Sequence, residues 1–140
     1  MKKLLCLSLV VLICSLLIVS CGGTEMVVTI NNSYNFRCEA NLDSTPYTIY
    51  ENTAKELYNY CAQAKSDTAD KAGEGKSITL SFVGDKRKNP KKDSDRVVIC
   101  SYVVYENDVL DFHKTGLTSI NSYYSEGFYN VIYTLIMIYA

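Results

Sequence analysis

The first twenty residues differ so strongly in composition from the rest of the chain that we expect them to lie outside its folded core. Lys2 and Lys3 precede an uncharged run, residues 4–18, which is rich in leucine, valine and isoleucine. All 15 acidic residues and all 12 tyrosines of the 140-residue chain lie beyond position 20. A membrane-spanning helix needs about 20 apolar residues, so this shorter run is typical of a cleaved secretory signal peptide. We therefore predict a signal peptide over residues 1–20 and export from the cytoplasm.

The end of this segment resembles the cleavage box of bacterial lipoproteins. Their signal peptides end in an aliphatic residue, a loosely specified residue, a small residue and an obligatory cysteine, and Ile18-Val19-Ser20-Cys21 is similar to that box. Ile18 stands where leucine is more common. The resemblance implies a diacylglycerol thioether on the Cys21 sulfur. Stable anchoring to a membrane needs at least two acyl chains, which this group supplies. It also implies a protein held at the cell membrane or outer membrane and facing outside the cytoplasm.

The mature chain is expected to form one domain, residues 26–140, joined to the lipidated cysteine by a short tether, residues 21–25. It has 120 residues with 12 basic and 15 acidic side chains, a net charge of −3. This balance argues against a nucleic-acid binder. A chain of this length buries enough surface to fold without metals or many disulfides. Its tyrosines suit either half-buried sheet or a tyrosine-rich binding face.

The first half of the mature chain combines a strand pattern with a helix pattern. Residues 26–38 alternate between apolar and polar side chains, which predicts a strand or a hairpin that turns at Asn31-Asn32. Thr45-Pro46 is typical of an N-cap followed by proline at the first helical position. Apolar residues then recur every three or four positions over residues 47–64. We therefore predict one amphipathic helix there.

Four further apolar runs predict strands. Residues 77–83 alternate strictly, residues 97–105 are apolar on both faces, and residues 109–113 follow a short polar turn. The last run, residues 128–139, is rich in β-branched residues and tyrosine, and we interpret it as a buried strand. The whole pattern predicts an α+β fold, with one helix packed on a curled antiparallel sheet of about four to five strands. The element order is similar to that of cystatin-like rolls, a likeness that carries no function.

Three cysteines follow the proposed lipidation site: Cys38, Cys61 and Cys100. An oxidising compartment favours a disulfide, but an odd count leaves at least one thiol free. One disulfide or three buried thiols is the first interpretation. The second is a nucleophilic Cys100 with His113, the only histidine, as its base. A two-residue turn at 107–108 would put this pair on one face of the sheet, and a three-residue turn at 106–108 would put it on opposite faces.

Basic residues are concentrated in residues 85–96, which hold six basic and three acidic side chains. Such a run is typical of a solvated hairpin tip. On a membrane-anchored protein it is also a candidate contact with anionic headgroups or wall polymers, because each basic group near such a surface contributes about 1 kcal/mol. The candidate contact residues are Lys86, Arg87, Lys88, Lys91 and Lys92.

No motif predicts a metal or cofactor site. Gly75-Lys76-Ser77 lacks the earlier glycine of a phosphate-binding loop, and one histidine without a Cys-x-x-Cys pair does not make a zinc site. We expect no cofactor and no enzymatic activity. The sequence predicts a membrane-anchored extracytoplasmic lipoprotein that serves as a binding or interaction module, with membrane lipid and an envelope or extracellular protein as partners. The alternatives are an inhibitor or protective protein and, third, a thiol-dependent hydrolase.

Overall fold

A computed structural model describes residues 28–140. The predicted signal peptide, Cys21 and the tether lie outside the described residues. Six strands form one antiparallel sheet in the order β2-β1-β3-β4-β5-β6. The strands are β1 (Tyr34–Leu42), β2 (Thr45–Tyr50), β3 (Ser77–Asp85), β4 (Arg96–Tyr105), β5 (Val109–Lys114) and β6 (Asn121–Tyr124). The described helices are α1 (Glu51–Gln63) and α2 (Phe128–Tyr139).

The core lies between one face of the sheet and the two helices. Alternate residues of β1, β3 and β4 are buried on this face, as expected for a sheet covered on one side. Phe82 is fully buried near its centre. Its ring stacks with Phe36 at 6.1 Å and makes edge contacts with Tyr58 at 5.2 Å and Tyr102 at 6.0 Å. Aromatic pairs in these geometries stabilise a core beyond the area they bury.

The α+β class and three of the predicted strands are confirmed. The strands predicted over residues 77–83, 97–105 and 109–113 are β3, β4 and β5. Between β4 and β5, Leu110 pairs with Val104 and Phe112 pairs with Tyr102, which is the register of a three-residue turn. Asp108 in that turn has a φ of 63°, as a three-residue hairpin loop requires.

The prediction that Thr45-Pro46 begins a helix is wrong. Asp43 and Ser44, with φ of 49° and 67°, form a two-residue turn that pairs Thr45 with Leu42 and begins β2. Pro46 is tolerated there because β2 is an edge strand, which has one side without ladder hydrogen bonds. The helix begins only at Glu51. The later part of its predicted apolar stripe is confirmed by the buried residues Ala54, Leu57, Cys61 and Ala64.

The prediction of a buried strand over residues 128–139 is also wrong, because this segment is α2. Phe128, Ile132 and Ile136 are spaced by four residues and are almost fully buried, which is a helical period. The carboxylate of Asp108 accepts hydrogen bonds from the backbone N–H groups at the start of the helix. A contact distant in sequence thus decides in favour of the helix over the local β propensity.

The sheet has six strands, not four to five, since β2 and β6 were both missed. β6 lies in the polar connection after β5, where four residues give little periodicity. The first strand begins at Tyr34, later than predicted. The expected turn near Asn31-Asn32 does form, with the Asn32 N–H donating to the Thr29 carbonyl at 3.2 Å. Among the described residues no strand precedes it.

Candidate functional site

The basic loop, residues 86–95 between β3 and β4, is held closed by the buried carboxylate of Asp95. One Asp95 oxygen accepts the Lys91 backbone N–H at 2.9 Å, and the other lies 3.5 Å from the Arg87 guanidinium. The Asp95 carbonyl accepts the Lys86 N–H at 2.8 Å. The Lys91 hydrogen bond, followed by the Arg87 charge, lowers the pKa of Asp95. The four lysines of the basic loop are exposed: Lys86, Lys88, Lys91 and Lys92.

A second buried carboxylate, Asp85, ties this loop to the start of β1. It accepts hydrogen bonds from the Asn35 amide at 2.9 Å and from the Arg37 guanidinium at 3.3 Å. The same Asn35 amide donates to the Lys88 carbonyl at 3.1 Å. A Cβ on Gly84 would lie 2.2 Å from the Ser33 Cβ, so the backbone before β1 packs directly against the end of β3. The chain therefore enters the domain beside the basic loop.

The two arginines nearest this junction are already engaged. Arg37 donates to Glu39 at 3.1 Å, and Arg96 forms a hydrogen-bonded ion pair with Glu39 across the sheet. The hydrogen bond from Arg96 lowers the pKa of Glu39, and the same bond raises the pKa of Arg96. Arg96 is therefore occupied by an ion pair within the sheet. The charge that the basic loop presents to solvent comes mainly from its lysines.

The three described cysteines are buried free thiols. Cys38 and Cys100 lie in one row across the sheet, and Cys61 lies on α1, the helix that covers this row. Cys38 and Cys100 both pair with Phe82, from opposite sides, so two strand spacings separate them. Two spacings amount to about 10 Å between Cα atoms, beyond the roughly 7 Å limit for a disulfide. Cys61 is fully buried on α1, which contacts β1 and covers this row.

Burial makes these thiols poor nucleophiles. It raises the pKa of Cys38 to about 12 and that of Cys100 to about 11, and it raises the pKa of Cys61 well above the ordinary value. Because the thiolate is the reactive form, thiols of this kind are inert at neutral pH. Cys100 pairs with Lys114 and His113 pairs with Ser101, so the Cys100 and His113 side chains leave opposite faces of the sheet. The nucleophile–base arrangement is therefore not formed.

His113 has a structural contact of its own. Its Nε2 lies 2.7 Å from the Leu117 carbonyl and donates to it, which closes the turn after β5. Among the described residues, the Tyr102 hydroxyl is the one buried side-chain nitrogen or oxygen without a hydrogen-bond partner. The Phe82 and Phe112 rings contact the Tyr102 ring, and the Lys65 ammonium lies 5.9 Å from the Tyr102 ring centre and 3.8 Å from that of Phe112. This cluster has the character of a core.

The outward side of α2 is exposed and largely apolar, with Asn130 and Thr134 as its polar residues, and sequence reasoning missed it because the segment was interpreted as a buried strand. We call this surface the α2 outer face; its residues are Val131, Tyr133, Met137, Ile138 and Tyr139. Phe128 at the start of α2 stacks on Tyr60 at the end of α1, so the two helices run antiparallel. A groove of about 250 Å³ lies between them, lined by residues that include Thr53, Leu57, Leu135 and Tyr139. The spacing of Phe128, Ile132 and Ile136 was the signal that could have revealed a helix.

A larger cavity, about 410 Å³, opens at the end of the sheet opposite the basic loop. The connection after α1 forms one wall and follows the edge of β6, where Thr68 bridges to Tyr123. Asn107 links this wall to the β4–β5 turn by donating to the Ala72 carbonyl at 2.9 Å. Its polar lining includes Asp70, Lys71, Glu74 and Asn107. These residues come together only through the tertiary fold, and no sequence motif marks them.

No protein-family model, no curated protein and no solved structure matches this chain. Within residues 28–140, no group of three or more histidine, cysteine or acidic side chains is arranged to hold a metal ion. Neither described helix is long and apolar enough to cross a membrane.

Proposed function

We propose that this chain is a lipoprotein, anchored through Cys21 to a membrane and facing outside the cytoplasm, whose domain is a protein-binding module. The apolar run before Ile18-Val19-Ser20-Cys21 supports the anchor. The α2 outer face supports the binding role. The inert thiols and the separation of Cys100 from His113 count against the thiol hydrolase.

The observation that carries the binding role is the absence of charge from an exposed helix. A helix on a protein surface normally has charged or polar residues on its outer side. From Gly127 to the last residue, Ala140, the chain has no acidic, basic or histidine side chain. The exposed fraction is 63% for Ile138 and 56% for Tyr139, although Ile132 and Ile136 of the same helix are fully buried. The helix is firmly packed, so its apolar exposure is a property of the surface.

The chemistry of this face fits a protein partner. Tyrosine and methionine are enriched in the centres of protein interfaces, where charged residues are depleted. The neighbouring groove is smaller than the range of about 300–1,000 Å³ typical of small-molecule pockets. It is of a size to receive one apolar side chain from a partner, in the manner of an interface anchor.

The test is cross-linked affinity capture in the native host, with the full lipoprotein compared against the same signal and lipid without the domain. A double substitution, Met137→Glu with Ile138→Glu, should abolish capture of the enriched protein. The matched control, Asn52→Glu with Asn59→Glu, adds the same charge at exposed polar positions of α1 and should keep it. Equal capture by both variants would rule out the α2 outer face as the interface.

The anchor is tested separately by detergent phase partition of the processed chain. Cys21→Ser should move the protein from the detergent phase to the aqueous phase or leave it unprocessed. An unchanged distribution and size would contradict lipidation.

The likeness to cystatin-like rolls is also a proposal, and it concerns element order alone. It is supported by α1, which contacts β1 and β2 and is followed by β3, β4 and β5 in antiparallel order. The extra helix α2 is outside that likeness.

A further inference from the structure

We infer that the basic loop contacts the anionic lipid headgroups of the membrane that holds the anchor, and that it orients the domain with its opposite end outward. The inference rests on the proposed lipid anchor. We take lipid headgroups as the ligand because the lysines of the loop are exposed, flexible point charges that lie beside the point where the tether enters the domain.

Charge is strongly separated within the domain. Residues 85–96 hold six basic and three acidic side chains, and the rest of the mature chain holds six basic and twelve acidic ones. Two of the three acids in the loop region, Asp85 and Asp95, are only 4% exposed and are occupied by the contacts that shape the loop. No lysine among the described residues forms an ion pair. Arg87 and Arg96 are likewise occupied, by Asp95 and Glu39, so the loop presents four exposed lysines and one exposed acid, Asp93, a net charge of +3.

The opposite end of the sheet is acidic. The antiparallel topology puts the β1–β2 turn, the β4–β5 turn and the start of α2 at the end away from the basic loop. The acidic residues at or beside these turns are Asp43, Glu106, Asp108 and Glu126, and they outnumber the two lysines of this end, Lys71 and Lys76. An anionic membrane surface attracts one end of such a domain and repels the other.

The tether keeps the basic loop near the membrane. Asn35 and Ser33 fix the entry of the chain against the loop and the end of β3. Six residues separate Cys21 from Val28, the first described residue, and the seven steps between their Cα atoms span at most about 25 Å. A tethered group has a high effective concentration at the surface it can reach, so contacts that are weak singly become sufficient. An anionic surface adds about a fivefold preference for each nearby lysine.

The experiment measures amine acetylation of the processed full-chain lipoprotein on two kinds of vesicle. One kind contains phosphatidylcholine alone, and the other contains an equal part of phosphatidylglycerol. Mass spectrometry then gives the rate at each lysine. Lys71 and Lys76, which belong to the opposite end of the sheet, are internal controls. A surface potential near −30 mV raises the local proton concentration about threefold, so we expect the loop lysines to react at least about threefold more slowly on the anionic vesicles. Concentrated salt should remove the difference.

A pair of matched variants assigns the effect to the loop. Lys86→Gln with Lys88→Gln should weaken the protection of Lys91 and Lys92, whereas Lys71→Gln with Lys76→Gln should leave it intact. Equal reaction rates of the loop lysines on both vesicles, with the chain floating on both, would overturn the inference and leave the anchor standing.

Flotation separates the two proposals. Failure to float with phosphatidylcholine vesicles contradicts the lipid anchor. In that case the loop contact is tested by flotation with the anionic vesicles. We expect this flotation to be lost in concentrated salt and weakened by Lys86→Gln with Lys88→Gln. Its absence would overturn the inference, and its presence would support it.

Discussion

Asp108 joins the β4–β5 turn to the start of α2, and its replacement should loosen the helix that carries the proposed interface. One carboxylate oxygen accepts the Gly127 N–H at 2.7 Å, and the other accepts the Tyr129 N–H at 3.1 Å. These donors belong to the first turn of α2, whose backbone N–H groups have no partner within the helix. Asp108 itself has a φ of 63°, a conformation that aspartate tolerates better than alanine.

The free energy of unfolding that Asp108→Ala is expected to lose has two parts, the loss of the helix cap and the backbone strain of alanine at this position. A helix N-cap contributes about 1 kcal/mol, within a range of about 0.5–2 kcal/mol, and the charge at the helix N-terminus adds about 0.3–1 kcal/mol. Alanine in the left-handed region costs about 1 kcal/mol more. We therefore expect Asp108→Ala to lower the free energy of unfolding by about 2–3 kcal/mol. Asp108→Gly, which avoids the backbone strain, should lower it by about 1–2 kcal/mol.

The assay is urea unfolding of the processed chain followed by far-ultraviolet circular dichroism. Asp43→Ala is the matched control, since Asp43 also has a positive φ, 49°, and its side chain makes no hydrogen bond among the described residues. It should report the backbone strain alone. The reasoning is refuted by an Asp108→Gly chain as stable as the wild type, or by an Asp108→Ala chain no less stable than Asp43→Ala.

Three further changes test the core and the entry of the chain. Tyr102→Phe should be neutral or stabilising by up to about 1 kcal/mol in urea unfolding, because it removes a buried hydroxyl without a partner; a loss above that size would reveal a hidden partner. The folded pKa of Cys38, about 12, exceeds its ordinary value of 9.0, so the stability from burying its neutral thiol is complete below about pH 9 and declines as the pH rises toward 12. The urea midpoint should therefore fall less between pH 8 and 10.5 in Cys38→Ala than in the wild type, and equal falls would contradict the burial. Gly84→Ala should cost about 1–3 kcal/mol, because the new Cβ would meet Ser33; an unchanged urea midpoint would contradict this close packing.

Alternating patterns were the most reliable guide to the fold. Residues 77–83 repeat with a period of two because one face of β3 is buried under the helices. The apolar positions of α1 were found in the same way, since Ala54, Leu57 and Cys61 follow the helical period. These elements bury one side each, and burial of one side is what a sequence pattern records.

The two wrong predictions arose where local propensity and tertiary contacts disagree. Pro46 is as acceptable in an edge strand as at a helix start, and the turn at Asp43 and Ser44 decides between them through the pairing of β2 with β1. The segment of α2 is rich in β-formers, but it is capped by Asp108 from another turn. Neither the partner strand nor the distant cap is visible in a local window of sequence.

The features of the candidate sites also fall into two groups, those visible in the sequence and those that depend on tertiary contacts. The sequence by itself determined the cluster of basic residues, the cysteine count and the lipobox resemblance, because these are properties of composition and of adjacent residues. Only the tertiary structure decided that Cys100 and His113 lie on opposite faces, since one residue of hairpin register moves a side chain through the sheet. It also decided that the chain enters beside the basic loop, through the contacts of Asn35 with Asp85 and the Lys88 carbonyl, because hydrogen bonds that span about fifty residues depend on how strands pair and not on their order along the chain.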